Sequence, residues 1–125
     1  MNTSYEIDSK NLVVKVKIGG HYNFNEFKRF YNDLLDHAQF KPGAKILFDA
    51  SDLDFSKMKT SDINDLVKLD KELKEKRGKG KTTFVVSTEI GFGMIRMFEL
   101  NRAESFESPF MVFRKFPDAE KWIKE

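Results

Sequence analysis

The sequence has 125 residues, of which 40% are hydrophobic and 34% charged, with a formal net charge of +2 and no cysteine. This length and composition are typical of one globular domain, and the near balance of charges argues against nucleic acid or an anionic membrane as a partner. The lack of cysteine excludes disulfides, thiolate metal sites and thiol nucleophiles, and no apolar run approaches the roughly 20 residues that span a bilayer.

The first pattern along the chain predicts a β-hairpin. Tyr5 and Ile7 alternate with polar neighbours, and residues 8–11 (DSKN) supply a turn. Gly19 and Gly20 predict the end of the second strand. Within that strand apolar residues repeat with period two, as in a strand with one buried face: Leu12, Val14, Val16 and Ile18.

A capping pattern predicts the start of the first helix. Asn23 is a favourable N-cap, and Glu26 stands three residues later as its reciprocal partner. The helix is expected to end before Pro42. One of its faces carries apolar residues at helical spacing, namely Phe27, Phe30, Tyr31, Leu34 and Ala38.

The third strand ends in an acidic segment. Residues 44–50 (AKILFDA) are apolar on consecutive positions, as in a strand covered on both faces, and residues 51–59 (SDLDFSKMK) are interpreted as the loop that leaves it. Asp49, Asp52 and Asp54 lie at the strand edge where open α/β sheets bind ligands. A metal or phosphoaspartate site is one interpretation. Turn-forming side-chain bonds are the favoured one, because the segment KIGGHYN after the second strand adds no acidic residue.

The second helix is expected to be capped by Thr60 or Ser61, with Asp62 in its first turn. Gly78 is placed to terminate it in a left-handed conformation. The charged stretch KEKRGKGK, residues 74–81, is interpreted as a solvated loop. Its basic residues are interleaved with one glutamate, Glu75, and no aromatic residue is nearby for base stacking.

The last third of the chain continues the alternation. Residues 82–87 (TTFVVS) predict a buried strand, and the third helix follows it directly. Residues 109–113 predict a final strand, and Pro117 begins a short final helix. The predicted order is therefore ββαβαβαβα. It indicates an α/β fold with a mainly parallel sheet, an N-terminal antiparallel hairpin and helices covering the sheet.

We expect one domain over residues 1–125, located in the cytoplasm and without a transmembrane segment, because the N-terminus MNTSYEIDSK is polar. No catalytic, metal-binding or cofactor-binding pattern is found. His21 and His37 are not spaced as metal ligands, and the GFG of residues 91–93 lacks the further glycine and lysine of a phosphate loop. The sequence therefore predicts a protein that is not an enzyme and has no cofactor.

A family resemblance is carried by residues 45–55, KILFDASDLDF. They resemble the strand and loop of STAS domains, the bacterial anti-anti-sigma (SpoIIAA-like) fold, and the predicted order of elements agrees over nearly the whole chain. FGMIRMFEL and VFRKFPDAEKWI look more specifically like small bacterial SpoIIAA-like proteins of the STAS/Sec14 type. This resemblance implies a SpoIIAA-like domain that acts by binding other proteins. The Sec14-type fold also binds lipids, so a hydrophobic ligand is a second implication.

The sequence departs from the STAS pattern at the regulatory serine. In anti-anti-sigma factors a phosphorylated serine follows this strand at a helix N-terminus, and here Met58 falls on that position. Ser61 could replace it only if the loop is longer, and a phosphate there would be stabilised by the helix N-terminus. The candidate regulatory or ligand-binding residues are Asp49, Ser51, Asp52, Ser61 and Arg96.

The third helix is apolar on nearly all sides. When residues 92–106 are projected at 100° per residue, Arg96 and Glu99 share one narrow polar strip, and apolar residues including Ala103 occupy the rest. Either the helix is buried between its neighbours, or it presents a surface for dimerisation, a partner protein or a lipid-like ligand. Arg96 is expected to pair with Glu99 or Phe92. The predicted contact residues are Phe92, Met94, Met97 and Phe98.

Two functional hypotheses follow. The first is a non-enzymatic module that acts through protein–protein contact, as a homodimer that uses the third helix. The second is a binder or carrier of a small hydrophobic or anionic ligand, held between the second and third helices.

Overall fold

The computed structural model describes residues 1–102 and 108–125. These residues form five strands and five helices in the order ββαβααβαβα. The strands are β1 (Asn2–Asp8), β2 (Val13–His21), β3 (Lys45–Asp54), β4 (Thr82–Val85) and β5 (Phe110–Phe113). The helices are α1 (Phe24–Leu35), α2 (Thr60–Glu72), α3 (Lys74–Arg77), α4 (Glu89–Arg102) and α5 (Phe116–Lys124).

The strands form one sheet in the order β1-β2-β3-β4-β5. β1 pairs with β2 antiparallel, and all later pairs are parallel. The hairpin register places Tyr5 opposite Val16 and Ile7 opposite Val14, so the apolar positions of both strands share one face. The predicted α/β class, with a mainly parallel sheet and an antiparallel hairpin at the start, is confirmed.

The helices cover the two faces of the sheet unequally. α1, α2 and α4 enclose the main core on one face, where Phe48 of β3 is fully buried. Because successive strand residues point to opposite faces, Leu47, which immediately precedes Phe48, lies on the other face of the sheet. There α5 closes a smaller cluster that consists of Leu47, Val85, Ala119 and Ile123.

β2 and β3 are both longer than predicted. β2 continues through Gly19 and Gly20 to His21, and β3 continues to Asp54, so residues 51–54 are strand and not loop. The two extensions pair with each other after a register shift, because β3 has one residue more than β2 between the pairs Lys17–Asp49 and Gly19–Asp52. Glycine allows this, because Gly20 has φ +82° and remains in the ladder. The predicted strand end at Gly19 and Gly20 is therefore wrong.

The predicted cap of α1 is confirmed. Asn23 Oδ1 accepts a hydrogen bond from the Glu26 backbone N–H at 2.9 Å. The Glu26 carboxylate does not return the bond, because it pairs with the amino group of Met1 at 2.8 Å. α1 then ends at Leu35.

α2 begins differently from the prediction. Lys59 is the N-cap residue, and its backbone N–H donates to Asp62 Oδ2 at 2.8 Å. Asp62 thus performs the capping that was assigned to Thr60 or Ser61, since an acidic side chain at the third helical position reaches back to the cap. Thr60 and Ser61 are exposed residues of the first turn.

Residues 74–81 are not wholly a loop. Lys74–Arg77 form the one-turn helix α3, which Gly78 ends at φ +74°. The solvated-loop interpretation fails at Arg77, which is only 5% exposed. Gly78 has the positive φ that was predicted, but its ψ of −167° lies outside the left-handed helical region, and it ends α3 and not α2.

α4 corresponds to the predicted third helix and begins at Glu89, so Gly91 and Gly93 lie inside it. The predicted continuation through Ala103 to residue 106 falls outside the described residues. Among the helices of the described chain, none combines the length and apolar character that crossing a bilayer requires.

Candidate functional site

A cavity of about 50 Å³ lies between the sheet and the layer formed by α1, α2 and α4. Aromatic rings from three neighbouring strands form its floor: Phe48, Phe84 and Phe110. Phe48 and Phe84 stack with their centroids 4.4 Å apart, and Phe98 of α4 meets Phe110 edge-on at 5.2 Å. The interior is therefore apolar and lined by rigid rings, the usual character of a small-molecule site.

An ion pair between two lining residues of this cavity joins α2 to α4. Arg102 Nε donates to Asp70 Oδ2 at 2.6 Å, and both side chains are largely buried. Arg102 also donates to the Ser108 carbonyl at 3.1 Å, and its guanidinium lies 5.2 Å from the ring centre of Phe110. The sequence predicted no role for Arg102.

A second buried arginine, Arg77, contacts Thr82, which also lines the cavity. Arg77 donates to Thr82 Oγ1 at 2.7 Å, to the carbonyl oxygens of Gly80 and Lys81 at 3.1 and 2.9 Å, and to that of Ala44. Burial lowers its pKa. These bonds tie α3 to the start of β3 and β4.

The sequence does contain a signal for the burial of Arg77. Leu66 and Leu69 lie on the buried face of α2, Leu73 directly after the helix is also buried, and Arg77 follows Leu73 by four residues. Helical spacing therefore places Arg77 on the buried face, although the surrounding composition is charged. Beside it, burial raises the pKa of Tyr31 to about 12.

Tyr22 also lines the cavity. Its hydroxyl oxygen is buried and has no hydrogen-bond partner among the described residues. Burial is the main cause that raises its pKa, and the nearby carboxylates Asp62 and Asp65 act in the same direction. The hydroxyl therefore keeps its proton and remains an unused donor.

Asp49 and Asp54, near the end of β3, accept hydrogen bonds from backbone N–H groups two residues further along the chain. Asp49 Oδ1 accepts from the Ser51 backbone N–H at 3.1 Å and from the Ser51 hydroxyl at 2.6 Å. Asp54 accepts from the Ser56 N–H at 2.8 Å, which lowers the Asp54 pKa, and lies 3.1 Å from His21 Nδ1. Such bonds two residues along the chain are turn-forming contacts.

The other candidate regulatory residues lie on separate elements. Asp52 is exposed on β3, and Ser61 is exposed in the first turn of α2. Arg96 of α4 pairs with Glu99, as expected. No hydrogen bond or ion pair within the described chain joins these three residues, and no group of three acidic or histidine side chains there could hold a metal.

The predicted contact residues of α4 are divided between its two sides. Phe98 is buried, whereas Phe92, Met94 and Met97 are half-buried and pack against the main core. Their role as a contact surface stays a prediction.

The most exposed apolar side chains of α4 are residues that the prediction omitted. Ile90 is 61% exposed and Leu100 is 59% exposed. Gly93 lies between them, and a Cβ placed on it would meet no described atom within 4 Å beyond its own helix backbone and chain neighbours. The spacing of residues 90, 93, 97 and 100 alternates three and four, which would have identified them from the sequence.

No family model matches the sequence, and no curated protein matches it significantly. A similar solved structure is that of an uncharacterized protein of the DUF3478 family with a SpoIIAA-like fold, from Shewanella loihica PV-4. Its TM-score is 0.60 at 17% sequence identity, and the match covers 98% of this chain and 92% of that one. The likeness shows the fold: the chain has the SpoIIAA-like fold that its sequence predicted.

Proposed function

We propose that this domain of SpoIIAA-like fold is a non-enzymatic protein-binding module that forms a homodimer through α4. The contact surface is the outer seam of α4, defined as Ile90, Gly93, Met97 and Leu100. The observation that supports it is the exposure of Ile90 and Leu100 on either side of an open glycine.

The seam has the spacing of a helix-packing surface. Residues three and four positions apart alternate along one stripe of a helix, as in coiled coils. Gly93 lies within this stripe although glycine in a helix is about 1 kcal/mol less favourable than alanine. Nothing in the described packing of the chain requires a glycine there. A glycine at this position would allow a second helix to approach α4 closely.

A second copy of the same chain fits this surface. If two α4 helices pack antiparallel about a two-fold axis, Ile90 of each copy lies opposite Leu100 of the other. Gly93 then lies opposite Met97, whose unbranched side chain fills the space that the glycine leaves. The seam is therefore complementary to itself.

The test is the oligomeric state of Leu100→Glu and Ile90→Glu, measured by sedimentation equilibrium. Each charge would be buried at the interface, so we expect the dimer dissociation constant to rise at least about tenfold. Leu100 is a cleaner position than Met97, because Met97 also packs against the core. The control is Leu12→Glu, at a 42% exposed apolar residue in the β1–β2 turn.

The proposal requires that wild type and Leu12→Glu dimerise alike. A wild-type protein that stays monomeric at high concentration would contradict it. A folded Leu100→Glu variant that dimerises as tightly as wild type would exclude the seam as the interface.

A second function, binding of a small ligand between α2 and α4, is favoured by a separate observation. The cavity at that position is apolar, and one of its lining residues, Tyr22, has a buried hydroxyl group that finds no partner in residues 1–102 and 108–125. Displacement of cavity water by an apolar molecule would be favourable in such a site.

A further inference from the structure

We infer that the cavity between the sheet, α2 and α4 binds an uncharged apolar molecule with one hydrogen-bond-accepting oxygen, which accepts from the Tyr22 hydroxyl. This inference rests on the second function proposed above. It replaces the broader choice between a hydrophobic and an anionic ligand with one chemical class.

The Tyr22 hydroxyl supplies the specific contact. Buried hydroxyl groups almost always have a partner, and one that has none lowers the stability of the fold. Tyr22 lines the cavity, and its buried hydroxyl has no partner among the described residues. An acceptor that enters the cavity satisfies this donor.

The charges around Tyr22 decide the class of acceptor. Asp62 and Asp65 are close enough to act on the hydroxyl electrostatically, and both disfavour negative charge there. The N-terminus of α2 would favour an anion, but Asp62 already occupies that position by accepting from the Lys59 N–H. A carboxylate on the ligand would therefore be repelled, whereas a ketone, ester or alcohol oxygen would not.

The size of the cavity limits the ligand. A volume of about 50 Å³ is room for one or two water molecules. A molecule of about six non-hydrogen atoms needs some movement of the lining. Met58 lines the cavity and is half-buried, and its flexible unbranched side chain can move without disturbing the sheet.

Three molecules of nearly equal shape distinguish a neutral acceptor from an anion and from a hydrocarbon without an acceptor. 2-Pentanone carries the neutral acceptor. In butyrate a charged oxygen replaces the methyl group that is bonded to the carbonyl carbon, and in 2-methyl-1-pentene a CH2 group replaces the carbonyl oxygen. Each is titrated into wild-type protein, Tyr22→Phe and Tyr5→Phe, and binding is followed by NMR shifts of the cavity residues. Tyr5→Phe is the matched control, because Tyr5 is an exposed tyrosine that does not line this cavity.

We expect 2-pentanone to bind wild type and Tyr5→Phe equally and to bind Tyr22→Phe about five- to tenfold more weakly, the loss of one neutral hydrogen bond. 2-Methyl-1-pentene should bind all three proteins alike, and butyrate should bind wild type more weakly than the ketone does. Without ligand, Tyr22→Phe should unfold at the same temperature as wild type or higher, because it loses an unpaired hydroxyl.

Equal ketone affinity in wild type and Tyr22→Phe would overturn the inference, as would tighter binding of butyrate. A lower unfolding temperature for Tyr22→Phe would do so as well, since the hydroxyl would then already have a stabilising partner in the ligand-free protein. In each of these cases binding of the alkene would leave the second function intact. If none of the three molecules shifts the cavity signals, the second function itself is wrong.

Discussion

Arg77 illustrates how one residue can connect several segments of this fold. It is a cation with 5% exposure, and its hydrogen-bond acceptors come from the start of β3 and from the segment that leads into β4. The described chain pairs no carboxylate with it directly. The cost of burying its positive charge is therefore offset by hydrogen bonds to carbonyl and hydroxyl oxygens and not by an ion pair.

We predict that Arg77→Met lowers the free energy of unfolding by about 3 kcal/mol, because several buried acceptors lose their donor at once. Arg29→Met, at an exposed position of α1, should change it by less than about 0.5 kcal/mol. Urea denaturation monitored by circular dichroism measures both. A loss of similar size in the two variants would mean that the hydrogen bonds of Arg77 contribute little.

At the scale of elements, α4 contains two glycines that differ in the space around them. A Cβ on Gly91 would lie 2.8 Å from Phe55 Cδ2 and 3.0 Å from Thr88 Oγ1. Phe55 is 3% exposed and has little room to move. Gly91 is therefore needed for the helix to approach the segment after β3, whereas Gly93 faces open space.

We predict that Gly91→Ala destabilises the domain by about 1–3 kcal/mol through overpacking. Gly93→Ala, two residues along the same helix, should stabilise the dilute monomer by about 0.5–1 kcal/mol through helix propensity. Urea denaturation below the dimer dissociation constant compares the two. A destabilising Gly93→Ala would show that the methyl group meets something within the chain, which would remove the argument for an open seam.

At the scale of the whole molecule, α5 is the one helix of the described chain that packs on the second face of the sheet. Its core is the small cluster around Leu47 and Val85. Lys81 adds a clamp, because its Nζ donates to the carbonyl oxygens of Trp122 and Glu125 at 3.0 and 2.6 Å. α5 therefore depends on far less buried apolar surface than the helices of the main core do.

We predict that α5 opens before the rest of the fold. Its backbone amides should exchange with deuterium at least about tenfold faster than those of β3, because local undocking exposes only the small cluster. Native-state hydrogen exchange followed by NMR measures this difference. Equal protection of α5 and β3 would show that both faces of the sheet unfold as one cooperative unit.

The structural features that the sequence predicted are those determined by neighbours in the chain. The Asn23 cap and the period-two pattern from Val14 to Ile18 depend on a few consecutive residues, and both were recognised. The extension of β3 to Asp54 depends on pairing with β2, and polar residues 51–54 alone are typical of a loop. Local rules have no means of detecting such a pairing.

The candidate site was harder to predict from the sequence for the same reason. The cavity brings together Tyr22, Phe48, Phe84 and Phe98, which are distant in sequence, and their meeting follows from the packing of α4 on the sheet. The sequence placed a ligand between the second and third predicted helices but named none of the aromatic residues that form the cavity floor. An unpaired hydroxyl is a property of three-dimensional surroundings and has no signature in a single sequence.

α4 takes part in both proposed functions at once. Ile95 and Phe98 line the cavity from one side of the helix, while Ile90 and Leu100 are exposed on its surface. A helix moves nearly as a rigid rod, so a shift that admits a ligand also changes the outer seam. Thermodynamic reciprocity then applies: the factor by which a ligand alters dimer affinity equals the factor by which dimerisation alters ligand affinity. The concentration of the protein itself would thereby act as an effector of its own cavity.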